Sequence, residues 1–139
     1  MNAREYLEQI EKYDVLIENK RMEKKNWQDI ANSITVSMGG EKVQSTPDPH
    51  RREAAIVNYL DIEKEIDRCI IQHAIEKQKI IRMLERLPAM EYNVLYKRYV
   101  QMQNLQEIAD ALGKSYARIT SWHGRALAHL QNILDETGK

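Results

Sequence analysis

The sequence of 139 residues has no phenylalanine, only five glycines and only three prolines. Proteins made of many short β-strands need turn residues at each reversal and favour aromatic side chains in their strands. This composition therefore argues against an all-β fold and favours helices. Apolar runs are also short, with Ala54 to Val57 about the longest, whereas a membrane-spanning helix needs about 20 apolar residues. The sequence predicts no membrane span and no membrane partner.

The sequence also lacks a net charge and a second cysteine. Lys plus Arg and Asp plus Glu each total 21, so attraction to nucleic acid would have to come from a local excess of basic residues. Cys69 has no partner for a disulfide within the chain, and the first six residues lack the basic and apolar pattern of a secretory signal. These features predict a cytoplasmic location.

Two long amphipathic helices are predicted in the first part of the chain. Over about residues 3–36, apolar residues recur at steps of four and three, interrupted at Lys20 and Lys24. We expect the stems of these lysines to lie along a partner helix while their ammonium groups reach water. A second helical pattern covers about residues 51–86, with one apolar face running from Tyr59 to Leu87.

The segment between these helices, residues 37–50, contains two adjacent glycines and two spaced prolines and is predicted to be a loop. A single loop between two long helices predicts an antiparallel, coiled-coil-like hairpin, which we assign to a domain of residues 1–86. Leu87-Pro88 ends the second pattern, because proline restricts the residue before it and suits the first turn of a new helix. Residues 87–139 are predicted to form a second domain of short helices, near 89–101, 104–112 and 115–134. The predicted fold class is therefore all-α: a long helical hairpin followed by a small helix-turn-helix bundle.

The strongest local signal is a helix, a tight turn and a second helix. Asn104 is predicted to cap the first helix, with Glu107 at its third position, and Gly113 supplies the permissive backbone after its end. Ser115 is predicted to cap the second helix. The inner faces of the two helices are predicted to carry these apolar residues: Leu105, Ile108, Ala109, Leu112, Ile119 and Trp122.

From about Leu84 to Leu130 the sequence resembles the fourth region of sigma-70 family factors. The resemblance is carried by Leu87-Pro88, by Leu95 to Tyr99, by Leu105 to Ser115 and by Arg125-Ala126-Leu127. It departs from the pattern at Lys114, where an apolar residue is usual. With the hairpin included, the chain resembles the small sigma-like transcriptional regulators carried by prophages.

The resemblance implies double-stranded DNA as the partner, with the second helix in the major groove of a promoter element and RNA polymerase core subunits as possible protein partners. Carried over by position, the implied DNA-binding residues are Asn104, Lys114, Ser115, Tyr116, Ala117, Arg118, Thr120, Ser121 and Arg125. Among them Arg118 is the best candidate for reading guanine, because a guanidinium pairs with two acceptors on one base edge. Asn104, Lys114 and Arg125 are placed to meet phosphates.

Local charge agrees with this interpretation. No acidic residue occurs between Asp110 and Asp135, whereas Lys114, Arg118 and Arg125 lie within that stretch, and two histidines there are expected to add charge at low pH. Three fixed charges are few, so we expect a monomer to bind DNA weakly. A plot of log affinity against log salt concentration should have a slope of about 3 in magnitude. A homodimer or a protein partner would then be required.

Enzymatic and metal-binding interpretations find little support in the sequence. It contains no Gly-rich phosphate loop, no H-E-x-x-H and no nucleophile in a known context, so we predict no enzyme activity and no cofactor. Cys69 and His73 are spaced for one helix face, but two ligands do not complete a zinc site. Core packing is the better interpretation of this pair.

Two alternative functions stay open. A small-terminase-like viral packaging subunit also joins a helix-turn-helix to long helices, but it assembles as a ring on DNA. A helix-turn-helix adaptor would bind only proteins. A complete sigma factor is not expected, because the hairpin shows no exposed cluster of aromatic and basic residues for melting promoter DNA.

Overall fold

The computed structural model describes residues 1–39 and 49–138, and within these ranges the chain is helical with no strand. The elements are α1 (Ala3–Gly39), α2 (Pro49–Leu84), α3 (Ala89–Leu95), a π-helical segment (Tyr96–Val100), α4 (Leu105–Leu112) and α5 (Tyr116–Thr137). The predicted all-α class is therefore confirmed.

The ends of the two long helices differ from the prediction. Residues 37–39 belong to α1 and residues 49–50 to α2, whereas the sequence pattern predicts that all five lie in the loop. Proline begins α2 without loss, since the first turn of a helix has no partner for its amide. The remaining predicted loop residues, 40–48, lie outside the described residues. At its other end α2 stops at Leu84. Two backbone hydrogen bonds between residues three apart, from the Arg86 amide to the Met83 carbonyl and from the Leu87 amide to the Leu84 carbonyl, then turn the chain toward α3.

The chain divides into two compact units. The bundle unit contains Met1–Asp14 together with Ala74–Lys139, and the hairpin unit contains Val15–His73. Both units take part of α1 and part of α2. The domain boundary that the sequence predicts between residues 86 and 87 stays a prediction.

The bundle unit has two hydrophobic clusters. In the larger one, the start of α1 and the end of α2 pack with the π-helical segment and α5; its buried members are Ala3, Leu7, Ile10, Ile80, Leu84, Leu87, Leu95, Tyr99, Ala126 and Leu130. Polar contacts join the same elements. The Ala3 amide donates to Gln131 Oε1 at 2.7 Å, and Lys77 Nζ lies 2.6 Å from Asp14 Oδ1.

In the hairpin unit α1 and α2 run antiparallel. Lys24 Nζ donates to Asp67 Oδ1 at 2.9 Å, and further along α1 Gln28 meets Tyr59, which comes earlier on α2. Lys20 Nζ lies 2.9 Å from Glu23 on its own helix. Both lysines are half-buried, as expected, but their ammonium groups meet carboxylates rather than water alone. Hydrogen bonding to these carboxylates raises the pKa of both lysines.

Candidate nucleic-acid interface

Side-chain caps define the starts of α4 and α5. Asn104 Oδ1 accepts from the Glu107 amide at 2.8 Å, and Ser115 Oγ accepts from the Arg118 amide at 3.1 Å. Each cap satisfies an amide that has no partner within its helix. Between the helices Gly113 adopts φ 64° and ψ 35°, the left-handed conformation that glycine takes without strain. Both predicted caps and the predicted turn glycine are confirmed.

The second hydrophobic cluster holds α4 against α5. Ile108, Ala109 and Ile119 are buried there together with Val94 of α3. Leu105, Leu112 and Trp122 pack against this cluster with part of their surface exposed. The predicted core of the helix-turn-helix is therefore confirmed. The small side chain at Ala109 lets the backbones of the two helices approach closely.

All nine residues predicted to contact DNA are exposed. Asn104 and Ser115 use one side-chain oxygen each as a cap, and Thr120 Oγ1 donates to the Tyr116 carbonyl at 2.9 Å. Arg118 stacks over the Trp122 ring, with 5.6 Å between the guanidinium carbon and the ring centroid. This cation–π contact orients Arg118 while leaving its N–H groups available to a ligand.

The basic residues occupy one side of this motif. Arg118 and Arg125 are seven residues apart on α5, so they lie on the same face two turns apart. Lys114 is exposed in the turn, and its amide donates to the Ala109 carbonyl at 3.0 Å. The departure from the sigma pattern at Lys114 therefore places a charge at the surface and removes nothing from the core.

The two histidines of α5 differ in their surroundings. His123 is buried, and its Nε2 lies 3.0 Å from the Tyr99 hydroxyl, with the two rings stacked. Burial, with smaller contributions from Arg4 and Arg98, lowers the pKa of His123. His129 Nδ1 lies 2.6 Å from Glu91 Oε2, whose carboxylate is buried. His123 is therefore part of the packing of the bundle, whereas His129 is exposed beside Glu91, and the charge predicted for it at low pH stays a prediction.

A cleft of about 450 Å³ opens beside the start of α5 and contains residues that the sequence analysis missed. Its lining comes from α1, the π-helical segment, α4 and α5: Arg4, Glu8, Arg98, Tyr99, Asn104, Leu105, Gln106, Tyr116 and His123. Within residues 1–39 and 49–138, neither Arg4 nor Arg98 forms an ion pair. The cleft thus brings two further cations close to two of the predicted DNA-binding residues, Asn104 and Tyr116.

The π-helical segment explains the positions of Arg98 and Tyr99. The Gln101 amide donates to the Tyr96 carbonyl five residues earlier, at 3.1 Å, which widens this turn by one residue. Tyr99 is buried against His123, while Arg98 lines the cleft and contacts the Tyr99 ring at 5.3 Å. Regular α-helical spacing over residues 89–101, as predicted, does not give this arrangement, so the sequence pattern offered no signal for it.

Across the described residues, no group of three or more potential metal ligands is found, and Cys69 and His73 are both half-buried on the hairpin. No helix there is long and apolar enough to cross a bilayer.

Comparison with known proteins agrees with the motif. Residues 83–132 match the family model for sigma-70, region 4, which covers the helix-turn-helix and the preceding α3. Neither a curated protein nor a solved structure matches the chain. This part of the chain is a sigma-70 region 4-like helix-turn-helix, which is a DNA-binding domain.

Proposed function

We propose that the chain is a sigma-like transcriptional regulator that binds a promoter element by placing the first turns of α5 in the major groove. The observation that carries the proposal is the exposed, basic first part of α5, which has no acidic residue before Asp135, on a helix-turn-helix that matches sigma-70 region 4. An exposed helix with this charge is the element that enters the groove in helix-turn-helix proteins. Double-stranded DNA is therefore the proposed partner.

The residues of α5 divide into base-reading and backbone-binding roles. Arg118 is assigned to a base edge, because Trp122 orients its guanidinium and leaves the donors outward. Tyr116, Ala117, Thr120 and Ser121 form the surrounding surface that faces bases or nearby sugars. Lys114, Arg125 and the amides at the start of α4 beside Asn104 are assigned to phosphates.

Arg4 and Arg98 extend the proposed phosphate-binding surface. They line the cleft beside Tyr116 and have no carboxylate partner in the described ranges. The salt dependence of binding separates two versions of the interface. Three cations at the interface, Lys114, Arg118 and Arg125, give a slope of about 3 in a plot of log affinity against log salt concentration, whereas five cations, with Arg4 and Arg98, give roughly 4.5.

Further features of the regulator follow from its small number of fixed charges. A single copy offers few phosphate contacts, so a homodimer or RNA polymerase core subunits are proposed to supply additional affinity. A prophage origin belongs to the same proposal through the resemblance to phage-borne sigma-like regulators, and a cytoplasmic location through the single cysteine and the first six residues. No enzyme activity and no cofactor are included.

The test begins by selecting bound fragments from a random duplex pool and measuring affinity for the selected site. Arg118→Ala should weaken binding to this site by about 5- to 150-fold, the equivalent of 1–3 kcal/mol, and relax the preference at one base pair. Lys114→Ala should weaken binding to all duplexes alike and lower the salt slope by about 1. Arg21→Ala is the matched control, because Arg21 is exposed on α1 in the hairpin unit.

Equal affinity of wild type and Arg118→Ala for the selected site would show that the assigned base contact is wrong. A ring of many subunits in light scattering would support the packaging alternative instead. Failure of the full chain to bind any duplex would support the protein-binding adaptor.

A further inference from the structure

The hairpin unit leaves a row of large apolar side chains exposed on α2. Val57, Leu60 and Ile71 are 54%, 46% and 59% exposed. They lie on a different side of α2 from Ile66, which is buried toward α1. An exposed apolar row on a helix that already has one partner indicates a second packing surface.

The row follows a heptad pattern. Val57, Leu60, Lys64, Asp67 and Ile71 succeed one another at steps of three, four, three and four, which is the spacing of the contact positions of a coiled coil. We call these five residues the α2 seam. Lys64 is exposed and Asp67 partly so, and they form the polar centre of the seam.

The α2 seam is complementary to itself when it is reversed. A two-fold axis between Glu65 and Ile66 exchanges Leu60 with Ile71 and Lys64 with Asp67. Leu60 then meets Ile71 of the second copy, each lysine meets an aspartate, and Val57, at the end of the seam, meets Ala74. In the sequence the same axis also exchanges Ile56 with Ile75. A surface that matches its own reversed copy is what a two-fold symmetric dimer requires.

We propose that α2 packs against α2 of a second copy of this chain in an antiparallel coiled coil centred on that axis. The parallel arrangement in register would set Lys64 against Lys64 and Asp67 against Asp67, so like charges disfavour it. Asp67 is able to serve both helices, because Lys24 takes Oδ1 and leaves Oδ2 for Lys64 of the second copy. The proposal rests on α2 and is independent of the assignment of DNA contacts.

Sedimentation of the 139-residue chain tests whether the α2 seam mediates self-association. Wild type should be a dimer, and Leu60→Asp and Ile71→Asp should each raise the dimer dissociation constant by at least about 30-fold, the size of a hot-spot substitution. Val15→Asp is the matched control, because Val15 is 52% exposed on α1 and lies outside the seam. Circular dichroism should show unchanged helix content in all three variants.

Charge exchange tests the pairing of Lys64 with Asp67. K64D and D67K should each weaken self-association, because each places like charges opposite one another at the centre. A mixture of the two variants should associate better than either variant alone, since both pairs between positions 64 and 67 across the mixed interface are then complementary. Full wild-type affinity is not required, because D67K also places a second cation beside Lys24.

Crosslinking tests the direction of the helices. In a Cys69→Ser background, L60C mixed with I71C should be joined by a short bismaleimide, whereas each variant alone should not. A monomeric wild type, a dimer broken equally by the Val15 control, or crosslinking of either cysteine variant with itself would overturn the proposal. Arg118→Ala should leave the dimer intact, so failure here is distinguishable from failure of the DNA-binding assignment.

Discussion

The bundle unit and the hairpin unit are built from the same two long helices but are stabilised differently. Of the sixteen buried apolar side chains in the described ranges, fourteen lie in the bundle unit, and only Ile17 and Ile66 lie in the hairpin unit. Because helices in proteins owe most of their stability to tertiary packing, the bundle unit is expected to be the stable part of the molecule. The hairpin unit exposes the surface on which a partner would complete its packing.

The largest difference in stability should appear when a leucine is shortened to alanine in each unit. Leu95→Ala deletes a fully buried side chain of the bundle unit and should lower the free energy of unfolding by about 2–5 kcal/mol. Leu60→Ala removes a half-exposed leucine from the hairpin unit and should cost less than about 1 kcal/mol in dilute, monomeric protein. Urea unfolding measures both, and equal losses would contradict the contrast between the units.

A smaller effect is expected at the helix starts of the bundle unit. Ser115→Ala removes the oxygen that accepts from the Arg118 amide and should cost about 0.5–2 kcal/mol in a urea unfolding experiment. Ser121→Ala is the matched control, because it removes an exposed hydroxyl from within the same helix. A similar loss in both variants would mean that the cap contributes nothing of its own.

The pH dependence of stability offers a third comparison. The pKa of His123 is lowered in the folded protein, so below the unfolded value of about 6.5 the unfolded chain binds the proton better. Neutral His123 makes its full contribution to the free energy of unfolding above about pH 6.5. This contribution is lost as the pH falls from there toward the pKa of His123 in the folded protein. The urea midpoint of wild type should therefore decrease between about pH 7 and pH 5. His123→Gln should flatten this decrease, and an unchanged slope would show that another group causes it.

Alanine substitution at two glycines of the bundle unit should change stability in opposite directions. A β-carbon at Gly124 meets nothing within 4 Å on an exposed part of α5, so Gly124→Ala should stabilise the unit by about 0.5–1 kcal/mol. Gly113 has equal space but a φ of +64°, so Gly113→Ala should destabilise by about 1–2 kcal/mol. Thermal melting of the two variants checks whether the backbone conformation at the glycine, rather than the space around a β-carbon, decides between stabilisation and destabilisation. Destabilisation in both variants would contradict this.

The sequence predicted the features that depend on neighbouring residues. The caps at Asn104 and Ser115, the left-handed turn at Gly113 and the inner faces of α4 and α5 are all determined within one or two helical turns. The family resemblance over Leu84 to Leu130 also agrees with the match at residues 83–132. Local chemistry was sufficient for the all-α class and for the motif at its end.

Features that depend on contacts between distant residues were not predictable. Leu7 is fully buried although it lies beside the predicted stripe of α1, because this end of the helix packs against both α2 and α5. His123 is held inside by Tyr99, 24 residues away, and Arg4 reaches the cleft from near the other end of the sequence. Helical periodicity describes one face of one helix, so it misses a side chain that a third element covers.

The wide turn at Tyr96–Val100 sets the register of two neighbouring side chains. The extra residue of this turn lets Tyr99 lie against His123 while Arg98 lines the cleft. Deleting one residue from the turn would let it close with regular α-helical bonds, and the residues left in the turn would change places relative to His123 and the cleft. A single-codon change of length there would therefore alter both contacts at once, whereas a substitution removes the contacts of one side chain.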